Sequence, residues 1–122
     1  MVIRGENGMA KYESDVYGDF DELLNALESG ILQGSVSATL EDGSDYSAGG
    51  VRCAVRVFER YSMTGSNRVS MNVTLIGNEN SLFLTAITAG GSQAMFFKFN
   101  TFGEEAFLDH VVGIVENFKK SV

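Results

Sequence analysis

Cys53 and His110 are the only thiol and the only imidazole in the chain. Within hydrogen-bond reach they could form a thiolate–imidazolium pair for nucleophilic catalysis. The alternation around Cys53 predicts the core side of a strand, and His110 falls on a predicted helix that would cover that side. Buried apolar cysteines are ordinarily inert, and no third residue is spaced to orient the imidazole. A metal shell is harder to assemble, because one Cys and one His leave only carboxylates to complete it. Asp42-Gly43-Ser44-Asp45 has a trace of a calcium loop, without the twelve-residue spacing that ends in a bidentate Glu. Those acids, with Glu41, read as solvated turn residues. Gly90-Gly91-Ser92 follows a strand pattern, but no G-x-x-x-x-G-K-[ST] occurs and no helix opens directly after it. A tight turn is the better reading than a phosphate cradle. No cofactor motif is present, and no cofactor or metal is expected.

Two other groups of residues could bind. Arg52, Arg56 and Arg60 recur every fourth residue, with Phe58 between the last two, and Arg68 opens the next strand pattern. The alternation predicts all five on one sheet face, away from the helices. Guanidiniums are bidentate donors, and Arg with an aromatic residue is the usual anchor of an interface. Arg52, Arg56, Phe58, Arg60 and Arg68 are therefore the candidate interaction surface, for another protein chain and most simply for a second copy. Arginines paired with Glu41 and other acids on a solvated face are the plainer alternative. The second group is aromatic. Phe83, Phe96, Phe97, Phe99, Phe102, Phe107 and Phe118 could line a cavity for an apolar or amphipathic ligand, or simply fill the core.

The elements that must carry these residues are legible from spacing. Residues 1–9 have no periodicity, Met9-Ala10-Lys11 reads as a more natural start than Met1, and the extension is expected to be poorly ordered. Residues 10–122 form one domain. Lys11 to Tyr17 alternates as a strand. Asp19 with Glu22 forms a capping-box-like start, and Phe20, Leu23, Leu24, Leu27 and Ile31 make one helical face that Gly30 or Gly34 ends. Strand patterns follow over 35–42, around Tyr46 between the turns Asp42-Gly43-Ser44 and Gly49-Gly50, over 51–61, over 68–76 and over 82–89. In 51–61 the row Val51, Cys53, Val55 and Val57 is predicted to face the core, together with Val36, Ala38, Met71 and Val73. Met95 to Phe99 could extend as a last strand. Thr101-x-x-Glu104 is a capping box before the stripe Phe107, Val111, Ile114, Val115 and Phe118, with Lys119 and Lys120 in the last turn.

Composition bounds the function classes. The 122 residues make one domain, 44% hydrophobic and 20% charged, which is an ordinary globular balance. A net charge of −7 disfavours a nucleic-acid binder or a sensor of anionic lipid. No apolar run reaches the ~20 residues of a membrane-spanning helix. A single cysteine cannot form an internal disulfide, so the cytoplasm is the expected compartment.

The order strand, helix, four or five antiparallel strands, helix predicts an α+β two-layer sandwich with both helices on one face of the sheet. The arrangement resembles one repeat of the TATA-binding protein and, in elaborated form, the helix-grip lipid carriers. The segments DFDELLNALESGIL, SVSATLEDGSDYSAGGVRCAVRVFERYSM and FFKFNTFGEEAFLDHVVGIVE are similar to those of a small bacterial domain family of unknown function. That resemblance implies a compact cytoplasmic bacterial protein and brings no assigned activity. Three function classes stand in order: a non-catalytic binding or protein-interaction module, a small carrier of an apolar ligand, and last an enzyme.

Overall fold

The computed structural model describes residues 2–4, 9–35, 37–61, 68–90 and 99–121, with backbone alone for 2–4 and 99–105. The elements are β1 (Val2–Arg4), β2 (Met9–Tyr17), α1 (Phe20–Gly34), β3 (Thr39–Ala48), β4 (Val51–Tyr61), β5 (Arg68–Asn78), β6 (Ser81–Gly90) and α2 (Phe99–Ser121). One antiparallel sheet holds all six strands in the order β1-β2-β6-β5-β4-β3. Both helices lie on the same side of it, so the fold is the α+β two-layer sandwich expected. Within the N-terminal extension, Val2–Arg4 pair with Ala10–Tyr12 of β2, where a Val-Ile pair suits an otherwise open strand edge.

The helix α1 begins as its sequence dictates. The Asp19 carboxylate accepts from the Glu22 N–H at 2.9 Å, satisfying one of the free amides at the helix start. Phe20, Leu23, Leu24, Leu27 and Ile31 are all buried. They meet Phe107, Leu108, Val111, Val115 and Phe118 of α2 and a sheet layer of Tyr12, Val16, Ala54, Phe58, Met71, Val73, Leu75, Leu82, Leu84 and Ala86. Gly30 lies inside α1, and the helix ends at Gly34 with Ser35 extended beyond it.

Several local expectations are corrected. The segment Asp42-Gly43-Ser44 is not a turn. It continues β3 through a register shift between Leu40 and Asp42. A Cβ on Gly43 would come within 2.9 Å of Arg56 Cδ, so this glycine makes room for an arginine crossing the strand. The turn itself is Gly49-Gly50, both with positive φ, as a two-residue hairpin requires. The helix α2 begins at Phe99, which puts Thr101 inside its first turn and not at its cap. The rest of the expected last strand, Met95–Lys98, lies outside the described residues, as do Val36 and Gly91-Ser92.

The largest correction concerns β4. Its buried residues are Ala54 and Phe58, so the even positions face the helices. Val51, Cys53, Val55 and Val57 point to the other, helix-free face. Met71 and Val73 are in the core as expected, opposite Phe58 and Arg56. The reason is size and reach. Phe58 is the largest apolar side chain in the strand, and its burial outweighs that of the smaller valines. Arginines can bury their methylene stems on the same side while the guanidiniums reach acids at the helix rim.

Candidate functional site

The five residues of the expected surface are divided between the two sides of the sheet. Arg52, Arg56 and Arg60 lie on the helix side with Phe58, which is 0% exposed and part of the core. Arg68 is opposite Tyr61 and therefore on the helix-free side. There it pairs with Glu59, and its guanidinium lies 5.8 Å from the Tyr61 ring centroid. The group is not a single exposed patch.

Arg52 and Arg56 fasten α1 to the outer strands, and Arg60 reaches α2. Arg52 makes two hydrogen bonds to the Asp21 carboxylate, at 2.9 and 3.1 Å, and stacks over the Phe20 ring. These bonds hold the Asp21 carboxyl below its ordinary range and raise Arg52. Arg56 reaches Glu28 at 2.6 Å and Asp45 at 3.0 Å, and donates to the carbonyls of Val55 and Ser44. The Glu28 bond is the chief cause of its raised pKa. Arg60 lies 4.8 Å from the Phe107 ring centroid, and burial lowers its pKa. These guanidiniums are engaged within the chain, as ties between layers.

The candidate catalytic pair is not assembled. Cys53 is on the helix-free face, half-buried. His110 is on α2 and packs against Gly34 of α1. The sheet stands between them. Among the described residues no group of three or more His, Cys, Asp or Glu side chains could hold a metal ion. The phenylalanine set is also divided. Phe107 and Phe118 are buried, Phe83 is on the helix-free face opposite Ile76, and the side chains of Phe96, Phe97, Phe99 and Phe102 lie outside the described residues. A surface cleft of about 170 Å³ opens at the β3–β4 hairpin end, lined by Phe20, Asp45, Tyr46, Ser47, Arg52 and Cys53. It is smaller than the ~300 Å³ at which ligand pockets usually start.

What the register does bring together is an apolar helix-free face. Strand pairing aligns Tyr46, Cys53, Ile76 and Phe83 in one row across four strands, ending at Asp15 of β2. A second row runs Ser44, Val55, Thr74, Thr85 and Glu13, and a third runs Asp42, Val57, Asn72, Ile87 and Lys11. Ile76 is 39% exposed and Tyr46 71%. Charge lies on the flanking strands and, as the Glu59–Arg68 pair, at one end of the face, so the centre is neutral and largely apolar. Strands with apolar residues on both faces are the mark of a sheet covered on both sides. The sequence carried this signal in β4 and β6, but assigning the valine row to the core concealed it.

The chain belongs to a family of unknown function, DUF6054, whose model matches residues 9–119. No curated protein matches it. Its fold is similar to that of a protein of unknown function from Pseudomonas aeruginosa, at TM-score 0.53 and 9% identity over 66% of this chain. The chain spans 58% of that protein's length. It also aligns with the Saccharomyces cerevisiae Ran-binding protein Mog1p, at TM-score 0.47 and 13% identity over 89% of this chain and 69% of that one. Among the described residues no helix is long and apolar enough to cross a membrane.

Proposed function

We propose that this protein is a non-catalytic interaction module that docks another folded protein on the helix-free face of its sheet. The observation that carries the reading is the row Tyr46, Cys53, Ile76 and Phe83, flanked by Val51, Val55, Val57 and Ile87, with no helix over it among the described residues. An apolar area of that breadth on one side of a two-layer sandwich marks a contact surface. The face is a better site than the sheet edge. The outer edge strand β3 is bulged at Leu40/Asp42 and carries Glu41, Asp42 and Asp45, devices that discourage strand addition. The separation of Cys53 from His110 favours binding over catalysis. A lone cysteine is in keeping with a reducing compartment, the cytoplasm.

The test is site-specific photocrosslinking in the native cell. A photoreactive residue at Val55 or Val57 should give discrete protein adducts, and one at the exposed Gln33 of α1 should give none. An adduct of twice the chain mass identifies a second copy, and other masses identify a foreign partner. Equal labelling from Gln33, or no adduct from the sheet face, would refute the reading.

A further inference from the structure

We infer that the occupant of the helix-free face is a second copy of this chain, stacked sheet on sheet about a two-fold axis running along β5. The inference rests on the proposed docking face and adds the partner and its orientation. Five strands spaced ~4.8 Å apart, each about ten residues at ~3.3 Å, present roughly 600–800 Å². A standard interface buries about 800 Å² per partner, so the face is the right size for one copy of itself.

The orientation follows from the observed register. A two-fold along the strands leaves each cross-strand row in place and exchanges β3 with β2 and β4 with β6. In the third row, Asp42 is then set over the Lys11 of the other copy, and Val57 over its Ile87. In the first row, Cys53 is set over Phe83, Ile76 meets Ile76 at the axis, and Tyr46 is set over Asp15. In the second row, Ser44 is set over Glu13 and Val55 over Thr85. Val57, Cys53 and Ile76 meet apolar partners, while Tyr46 and Val55 meet polar ones. Among the described residues the like-charge contact is Arg68 with its own copy at the axis, where the Glu59 of each chain offsets the guanidinium. An axis across the strands would also give apolar contacts, Cys53 over Val57 and Phe83 over Ile87, and an Asp15–Lys11 pair. It sets the exposed Ile76 over Asn72, however, with Val51 over Glu59 and Glu13 over Glu13. Stacked sheets cross at about 30°, which offsets the outer strands by roughly 5 Å. The long Lys11 side chain spans that offset. Within its own chain Lys11 pairs with Glu13 at 3.8 Å, with 39% of the side chain exposed.

The experiment is sedimentation equilibrium on the full chain and its variants, with circular dichroism confirming the fold of each. The wild type is expected to be a dimer. Ile76→Glu should be a folded monomer. If Ile76→Glu does not fold, attaching a bulky maleimide to Cys53 of the wild type serves the same purpose. Lys11→Asp and Asp42→Lys should each raise the dissociation constant about tenfold, since each places two like-charge contacts in a symmetric dimer. The double variant should restore wild-type association. A dimer broken by Ile76→Glu but not rescued by the charge exchange overturns the two-fold orientation while the docking face stands. A wild type that stays monomeric at millimolar concentration overturns self-association. Photocrosslinking then decides separately whether the face serves a foreign partner. A dimer unaffected by either Ile76→Glu or Cys53 modification overturns both.

Discussion

Gly30 of α1 lies directly against Ile114 of α2: a Cβ on Gly30 would come within 2.6 Å of Ile114 Cδ1 and 2.8 Å of Cγ1. One turn on, a Cβ on Gly34 would lie 2.8 Å from Nδ1 of His110. The two glycines, four residues apart, let the helices approach closely. Gly30→Ala gains about 1 kcal/mol of helix propensity and meets an overpacking penalty of about 1–3 kcal/mol. The expected result is a net loss below about 2 kcal/mol. Ile114→Val removes the nearest atom, so the double variant should be more stable in denaturant titration than Gly30→Ala alone. Additive losses would show that the contact is not the cause.

How much of this was legible in the sequence depends on which signal was local. The start of α1 and both apolar stripes were readable, because capping and helical spacing act within one element. The side that β4 turns to the core was not, because two rows competed. Four small apolar residues alternate with three arginines, Ala54 and Phe58, and alternation alone favours the wrong row. A pairing pattern could have settled it. Asp21 and Glu28 are seven apart on α1, about 10.5 Å along the axis. Arg52 and Arg56 are four apart on β4, about 13 Å along the strand. Those spacings match, and the pairs form as Arg52–Asp21 and Arg56–Glu28. Asp42-Gly43-Ser44 mimics a turn in sequence for a related reason: its glycine accommodates Arg56 and does not reverse the chain.

Phe58 and Ile76 separate core from contact surface. Phe58 is fully buried, so Phe58→Ala should cost about 3–5 kcal/mol of folding stability. Ile76 is on the open face, so Ile76→Ala should cost less than about 1 kcal/mol in the dilute protein. Chemical denaturation at low concentration measures both. Equal losses would contradict the assignment of the two faces.

The Arg56–Glu28 tie should be measurable as a coupling. Arg56→Met removes the bonds to Glu28, Asp45 and two carbonyls, while Glu28→Gln removes only the carboxylate charge. The first should therefore cost about 2–3 kcal/mol and the second about 1 kcal/mol. A double-mutant cycle should return a coupling energy above about 0.5 kcal/mol. A coupling near zero would mean that this tie adds nothing to what the apolar stripe and the Arg52–Asp21 pair supply.

The Asp21–Arg52 pair predicts an acid-side pH dependence. Hydrogen bonds from Arg52 lower the folded-state pKa of Asp21 below the ordinary value near 3.9. The stabilisation is therefore complete above that ordinary value and is lost as pH falls through the lowered one. An NMR titration of the Asp21 carboxyl carbon should show the depressed midpoint. Arg52→Met should raise it toward the ordinary value, and an unchanged midpoint would dissociate the shift from the pair.

Cys53 reports on the helix-free face directly. It sits between Tyr46 and Ile76 in the apolar row, with part of its surface open to solvent. A maleimide should therefore label it in the folded, dilute protein, at a rate that low denaturant does not change. Labelling through global unfolding behaves differently, because its rate would rise with denaturant as the open population grows. Raising the protein concentration should slow labelling as the face becomes covered, and Ile76→Glu should abolish that slowing. A rate that tracks unfolding at every concentration would place Cys53 in the interior and invalidate the assignment of faces on which the docking surface depends.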